Sequence, residues 1–287
     1  MGGLPMNDVQ PSMRQQNRAQ LLLLYFVLIL LAVFMLVPFA WMASASLQLD
    51  KDVFRFPFRW IPTVPRWKNY ELIWQRIPFL LFFANTAKLA LIITFLQLVT
   101  SSLAGYAFAR LDFKGRDIIF LGYIGTIAIP WQAYMVPQFI MMRKLGLYDT
   151  HLSIIILQAV SAFGVFLMRQ FLIGIPKELS DAARIDGLGE YGIYARIMLP
   201  LSKPALATLT IFTFVGVWND FMGPLIYFSS EKLKTIQLGL RMFISQYSAE
   251  YSLIMAASLV SLVPVFILFL FMQRYFIEGI ASTGVKG

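Results

Sequence analysis

Few residues in this chain could do chemistry, and most of them sit inside apolar runs. There is one histidine, His151, and no cysteine. Disulfides, thiolate metal sites and cysteine nucleophiles are therefore excluded, and His151 has no second histidine with which to chelate a metal. The apolar runs hold no paired acids and no nucleophile beside a base. No glycine-rich phosphate loop or strand-glycine-helix fingerprint occurs, so neither nucleotide binding nor a cofactor or metal site is expected in this chain. What remains is a set of polar groups in apolar surroundings: Gln132, Gln158, Ser161, Asn219, Asp220, Ser258 and Ser261, with Trp218 next to Asn219. Such groups are costly in lipid, so they either line a polar path or bond to a neighbouring helix. Read as a path, amides beside an indole suit a sugar, whose hydroxyls need hydrogen bonds and whose apolar faces stack on rings. The alternative for each residue is ordinary bonding between helices.

The elements that must position these groups are membrane spans. In 287 residues, 59% are hydrophobic and only 14% charged, with a net charge of +9 and a mean hydropathy of +0.69, well outside the range of soluble domains. The basic residues are scattered through short connections and form no basic stripe with interleaved aromatics, so nucleic acid is not expected as a partner and membrane lipid is. The pattern predicts an all-α, polytopic protein with six transmembrane helices at residues 21–43, 89–109, 118–142, 152–168, 204–228 and 253–272. The second has an apolar lead from Phe79. The third contains Pro130 and Pro137, which predict a bend, and the fifth is interrupted at Trp218-Asn219-Asp220. A polar tail, 1–20, precedes the membrane domain at 21–276, and a short tail, 277–287, follows it. Ser101, Ser102, Ala104, Gly105 and Ala107 make the far half of the second span rich in small residues, as close helix packing in membranes requires.

Between the fourth and fifth spans lies a polar stretch, 176–204, of a different character. Pro176 suits a first helical position, Glu178 and Asp181 place negative charge near the positive end of a helix dipole, and Gly187 supplies a stop. Leu179, Ala182, Ala183 and Ile185 give a small apolar face, on which Ala183 and Gly187 lie one turn apart. A second short helix is expected from about residue 190 to 198, ended by Leu199-Pro200. A helix lying in the bilayer interface would show a bulky apolar face and a basic one. Small alanines alternating with Glu178, Asp181, Arg184 and Asp186 fit a protein-docking surface better.

This order of helix, glycine turn, helix and Leu-Pro resembles the signature cytoplasmic loop of the inner-membrane permeases of ABC importers. That pattern reads Glu-Ala-Ala, three residues, Gly, nine residues, Ile, one residue, Leu-Pro. Here Asp181-Ala182-Ala183, Gly187, Ile197 and Leu199-Pro200 stand at the same offsets, with Asp181 in place of Glu. Further stretches are similar to the carbohydrate, maltose-type branch and to the smaller of its two permeases. They are Pro65 to Tyr70, Asn85-Thr86, Ser102 to Arg110, Trp218-Asn219, and the ending Gln273-Arg274-Tyr275-Phe276 with Gly279, Lys286 and Gly287.

The resemblance implies a type I importer permease in a bacterial cytoplasmic (inner) membrane, with both termini cytoplasmic. Lys and Arg divide nearly evenly between the two faces, so the positive-inside rule does not settle the orientation. It also implies a second homologous permease, two ATP-binding subunits carrying ATP and Mg, and an extracytoplasmic sugar-binding protein meeting residues 229–252. The tail near Gly284 would touch the ATPase pair. The coupling residues it implies are Glu178, Asp181, Ala182, Ala183, Arg184, Asp186, Gly187, Leu199 and Pro200. An ion-coupled carrier is the competing reading, but intramembrane acids or histidines are scarce, with only Asp220 well placed. A channel would show a repeated pore motif, and none is visible.

Overall fold

The computed structural model describes residues 18–244 and 250–283. Most of the first tail and the contact expected near Gly284 fall outside the described residues. Among the described residues every regular element is helical: α1 (Arg18–Ser46), α2 (Asp50–Val53), α3 (Lys68–Arg76), α4 (Phe79–Arg110), α5 (Arg116–Gly125), α6 (Trp131–Lys144), α7 (His151–Gln158), α8 (Ala162–Ile173), α9 (Glu178–Ile185), α10 (Glu190–Ile193), α11 (Leu199–Leu201), α12 (Lys203–Trp218), α13 (Met222–Tyr227), α14 (Ile236–Met242) and α15 (Tyr251–Thr283). Four stretches are long and apolar enough to cross a membrane, namely α1, α4, α7 with α8, and α15. Two bent pairs raise the number to six. The all-α, multi-span expectation holds, but three of its spans are broken.

The third is the largest departure. In place of a gentle bend, the chain turns by 100° between Arg116–Ala128 and Trp131–Lys144. Pro130 has an extended ψ of 138° and so does the residue before it, Ile129 (ψ 110°), because a proline lacks the N–H and pushes its predecessor out of the helical region. The fourth span breaks after Gln158 and restarts at Ala162, where the Ser161 side chain accepts from the Gly164 N–H as an N-cap. The fifth breaks after Trp218 as expected. Its first helix starts at Lys203 after a 75° bend from Glu190–Leu201.

The helices at the centre touch backbone to backbone. A methyl group at Gly105 of α4 would lie 2.6 Å from the Met168 Cβ and 3.0 Å from the Arg169 backbone N of α8. The expected small-residue half of α4 is this contact. At the end of the molecule away from α9, Asn69 is buried and donates to the Ser46 and Gln48 carbonyls, closing the open end of α1. Asn85 reaches the Lys232 and Lys234 carbonyls, while Thr86 accepts from the Ile236 N–H. The motif residues picked out in the sequence here are clamps on loops.

Candidate functional site: the 176–204 loop and the broken-span cleft

The loop is rigid by construction. Its first helix, α9, ends where Gly187 adopts a φ of 84°. The Leu188 N–H reaches the Ala183 carbonyl at 2.9 Å and the Gly187 N–H reaches the Arg184 carbonyl at 3.0 Å, a Schellman turn that satisfies the last carbonyls of the helix. Arg184 donates to Asp181 at 2.8 Å and to Glu190 at 3.0 Å, tying α9 to the start of α10. Glu190 also accepts from the Tyr106 hydroxyl at 2.6 Å. Ser102 meets the Tyr194 hydroxyl at 2.7 Å, and Arg110 donates to the carbonyls of Leu172 and Ile175. Ser102, Tyr106 and Arg110 are spaced by four and share one face of α4, so a single membrane-spanning helix holds the whole loop.

Two expectations about the loop need correction. Ala183 does not share an open face with Gly187. It is 3% exposed and packs with Tyr106, Met168, Ile193 and Met198 in the chain's own core. The outward face of α9 is instead Leu179, Ala182, Ile185 and Asp186, with Ile185 87% exposed. Glu178, Asp181, Arg184 and Gly187 are exposed as well. Leu199-Pro200 also does not end the second helix. Tyr194–Met198 form a π turn and the chain stays helical through Leu201. The wide turn interrupts regular bonding just where Pro200, lacking an N–H, could not continue it.

The second feature is a cleft of about 380 Å³ where the broken spans meet, lined by Trp131, Tyr134, Gln138, Gln158, Asp220 and Tyr227 among others. Gln158, at the end of α7, donates to the Asp220 carboxylate at 2.9 Å, and the other Asp220 oxygen accepts from the Gly223 N–H at 3.0 Å. Asp220 thus caps α13 while being held by the neighbouring span. The carbonyls freed by the break after α7 are taken up by α4: Gln97 donates to Gln158 at 2.7 Å and Thr100 to Ala159 at 2.9 Å. Thr213 of α12 completes the chain by donating to Gln97 at 2.8 Å.

Of the expected path residues, Gln158 and Asp220 line this cleft, and Ser161 lines a smaller one beside it. Gln132 is exposed elsewhere on α6. Trp218 and Ser261 are corrections. Trp218 is 1% exposed, stacks on Phe214 and donates from Nε1 to the Ser261 carbonyl at 3.0 Å. The Ser261 hydroxyl bonds to the Ser258 carbonyl of its own helix. A buried indole needs a partner for its N–H, and α15 supplies it near Pro264, so both residues serve packing. Ser258 is half-buried on the same helix, and Asn219 is exposed and bonded to the Val215 carbonyl and to Gln237. The sequence reading missed Gln138, which accepts from Trp131 at 2.9 Å and from Tyr227 at 3.1 Å. Its signal was available: Gln138 follows Trp131 by seven residues, two turns along the same face.

A rigid loop of small and charged residues held on a bundle of broken spans is the arrangement that the sequence motif implies. Residues 3–281 match the family described as binding-protein-dependent transport system inner membrane component. The chain belongs to this family. Among its relatives, the arabinooligosaccharides transport system permease protein AraQ of Bacillus subtilis is 37% identical over 93% of this chain and 92% of its own length. The lactose transport system permease protein LacG of Rhizobium radiobacter is 33% identical, over 90% of this chain and 94% of its own. A solved bacterial ABC transporter that imports the acidic polysaccharide alginate has the same fold, with a TM-score of 0.80 and 24% identity, covering 93% of this chain and all of that one. The protein is thus an inner-membrane component of a binding-protein-dependent transport system. Its long α1, whose side chains from residue 22 to 40 are exposed, is apolar and long enough to cross a membrane.

Proposed function

We propose that this permease forms half of the translocation pathway for a sugar or sugar-like solute and is driven through α9 by a separate ATPase. The carrying observation is the rigid loop with an outward apolar spot, Ile185, set among Glu178, Ala182 and Asp186. A surface side chain of that size, left open by a turn so thoroughly bonded, is a handle for a groove on another protein. The rest of the assembly follows from the family: a second permease, two ATP-binding subunits holding ATP and Mg, and an extracytoplasmic binding protein that delivers the sugar. The loop and both termini then lie on the cytoplasmic side. Relatives named for arabinooligosaccharides and lactose support the sugar class.

Ile185→Glu tests the handle without touching the core. Reconstituted with its co-purifying subunits, the variant is expected to insert at normal levels yet lose ATPase association and solute-stimulated hydrolysis. Normal association and uptake would remove α9 as the docking element.

A further inference from the structure

Two clefts meet on α12. The larger, of about 380 Å³, takes Asp220 beyond the end of this helix and Gly223 and Tyr227 of α13. The smaller, of about 220 Å³, takes Phe212 and Thr213 of α12 together with Ser161 and Phe163 at the start of α8. Among the described residues the two clefts share Gln158 of α7 and Gly216 of α12. Because α12 is the long arm of the fifth span, the clefts follow one another in the direction of crossing, and they join at Gly216.

Glycine is the poorest helix former after proline, yet α12 stays helical through Gly216. In membranes a helical glycine commonly admits a close neighbour, as Gly105 admits α8, while Gly187 supplies a positive φ. Gly216 does neither. Its φ is not positive, and beyond its own turn of helix nothing among the described residues lies within 4 Å of where its Cβ would be. What its missing side chain leaves is open space at the junction of the clefts.

Both clefts set rings beside hydrogen-bonding groups. In the smaller, Phe163 and Phe212 meet edge to face at 5.7 Å next to Ser161. In the larger, the Trp131 N–H and the Tyr227 hydroxyl both reach the Gln138 Oε1. An indole N–H can only donate, so this fixes which end of the amide is taken, and the Gln138 NH2 has no partner among the described residues. Rings for apolar faces, with an NH2 and the Asp220 carboxylate for hydroxyls, suit a sugar ring and not an acyl chain.

We infer that the two clefts are consecutive segments of one solute track and that the absent side chain of Gly216 sets the width of the neck between them. Gly216 is then a specificity-determining residue. This rests on the reading of the chain as half of a sugar pathway and adds the position that limits what passes.

The chain has no cysteine, so Gly216→Cys gives it a single thiol. In the complex with its co-purifying subunits in nanodiscs, a methanethiosulfonate carrying a trimethylammonium group, which stays in water, is expected to modify it, read from the mass of this chain. A thiol facing lipid or pressed against another helix stays protonated and does not react. Uptake is then followed in proteoliposomes with lactose and arabinotriose as probes. Gly216→Ala should melt no lower than the parent, since alanine is the better helix former, yet transport more slowly. Gly216→Leu should lose uptake while the second permease and the ATPase still co-purify with it.

An unreactive Gly216→Cys in the complex, or parent-level uptake in Gly216→Leu, overturns the inference. Loss of the second permease from Gly216→Leu also overturns it, because the glycine would then make room for a partner helix. A parent complex that carries neither sugar counts against the sugar reading instead, and the modification of Gly216→Cys still tests the track.

Discussion

At the scale of single residues, Asp149 shows how one side chain can staple two loops. It lies in the turn between α6 and α7 with a φ of 57°, a conformation that aspartate tolerates better than most residues. Its carboxylate accepts from the Ser230 hydroxyl and from the backbone N–H groups of Ser229 and Ser230 at 2.8 and 2.9 Å. Hydrogen bonds to the charged form, those from Ser230 first, hold its pKa below the ordinary 3.8. A depressed carboxylate stabilises the fold fully above its unfolded pKa, and that contribution is lost as pH falls through the folded value. Acid below about pH 4 should therefore loosen the 229–230 segment, seen as faster amide exchange there. In Asp149→Asn exchange should already be fast at neutral pH and insensitive to acid.

The loop residues show what the sequence could and could not tell. The offsets from Asp181 to Pro200 gave the loop and its Gly187 turn. They did not say that Ala183 faces inward, because small residues on an eight-residue helix mark a close approach without saying whether the chain itself or a partner makes it. The Tyr106–Glu190 bond joins residues 84 apart, and no local pattern announces it. The four-residue spacing of Ser102, Tyr106 and Arg110 did offer a shared face.

At the scale of elements, close packing and broken helices work together. The α4–α8 contact depends on the missing side chain of Gly105. Gly105→Ala places a methyl 2.6 Å from the Met168 Cβ, an overlap that backbone shifts relieve at a cost of about 1–3 kcal/mol. The expected outcome is a lower Tm and lower yield in the membrane, and Met168→Ala in the same chain should restore neither, because the atoms in the way are the Cβ that alanine keeps and the α8 backbone. The composition of 101–107 foretold this contact. The break at Pro130 was legible too, although proline chemistry fixes the site of a break and not its 100° angle. The break after Gln158 was not legible, because residues 159–161 carry no helix breaker. It persists because Gln97 and Thr100, some 60 residues earlier, bond the carbonyls it exposes.

At the scale of the whole molecule, α4 links every functional level. Asn85 and Thr86 grip the 232–236 segment, Gln97 and Thr100 support the cleft, and Tyr106 and Arg110 hold the 176–204 loop and its entry. The stretch from Asn85 to Arg110 spans about 38 Å at 1.5 Å per residue, enough to cross the hydrocarbon core. A displacement imposed on α9 therefore reaches the cleft through one stiff element. There the give is at the paired breaks, where Gln158 joins the end of α7 to the cap of α13 through Asp220. A hydrogen bond to a carboxylate is worth about 1.5–3 kcal/mol, so removing it from one of two competing arrangements should shift their ratio by about 10- to 100-fold. Gln158→Leu leaves the loop and its outward face intact. The complex should still assemble with its ATPase and hydrolyse ATP, while uptake in proteoliposomes falls by at least about tenfold, the opposite pattern to Ile185→Glu, which should fail at assembly. Unchanged uptake in Gln158→Leu would mean that the breaks move independently of the Gln158–Asp220 bond, and that the motion passes instead through the α12–α15 packing around Trp218.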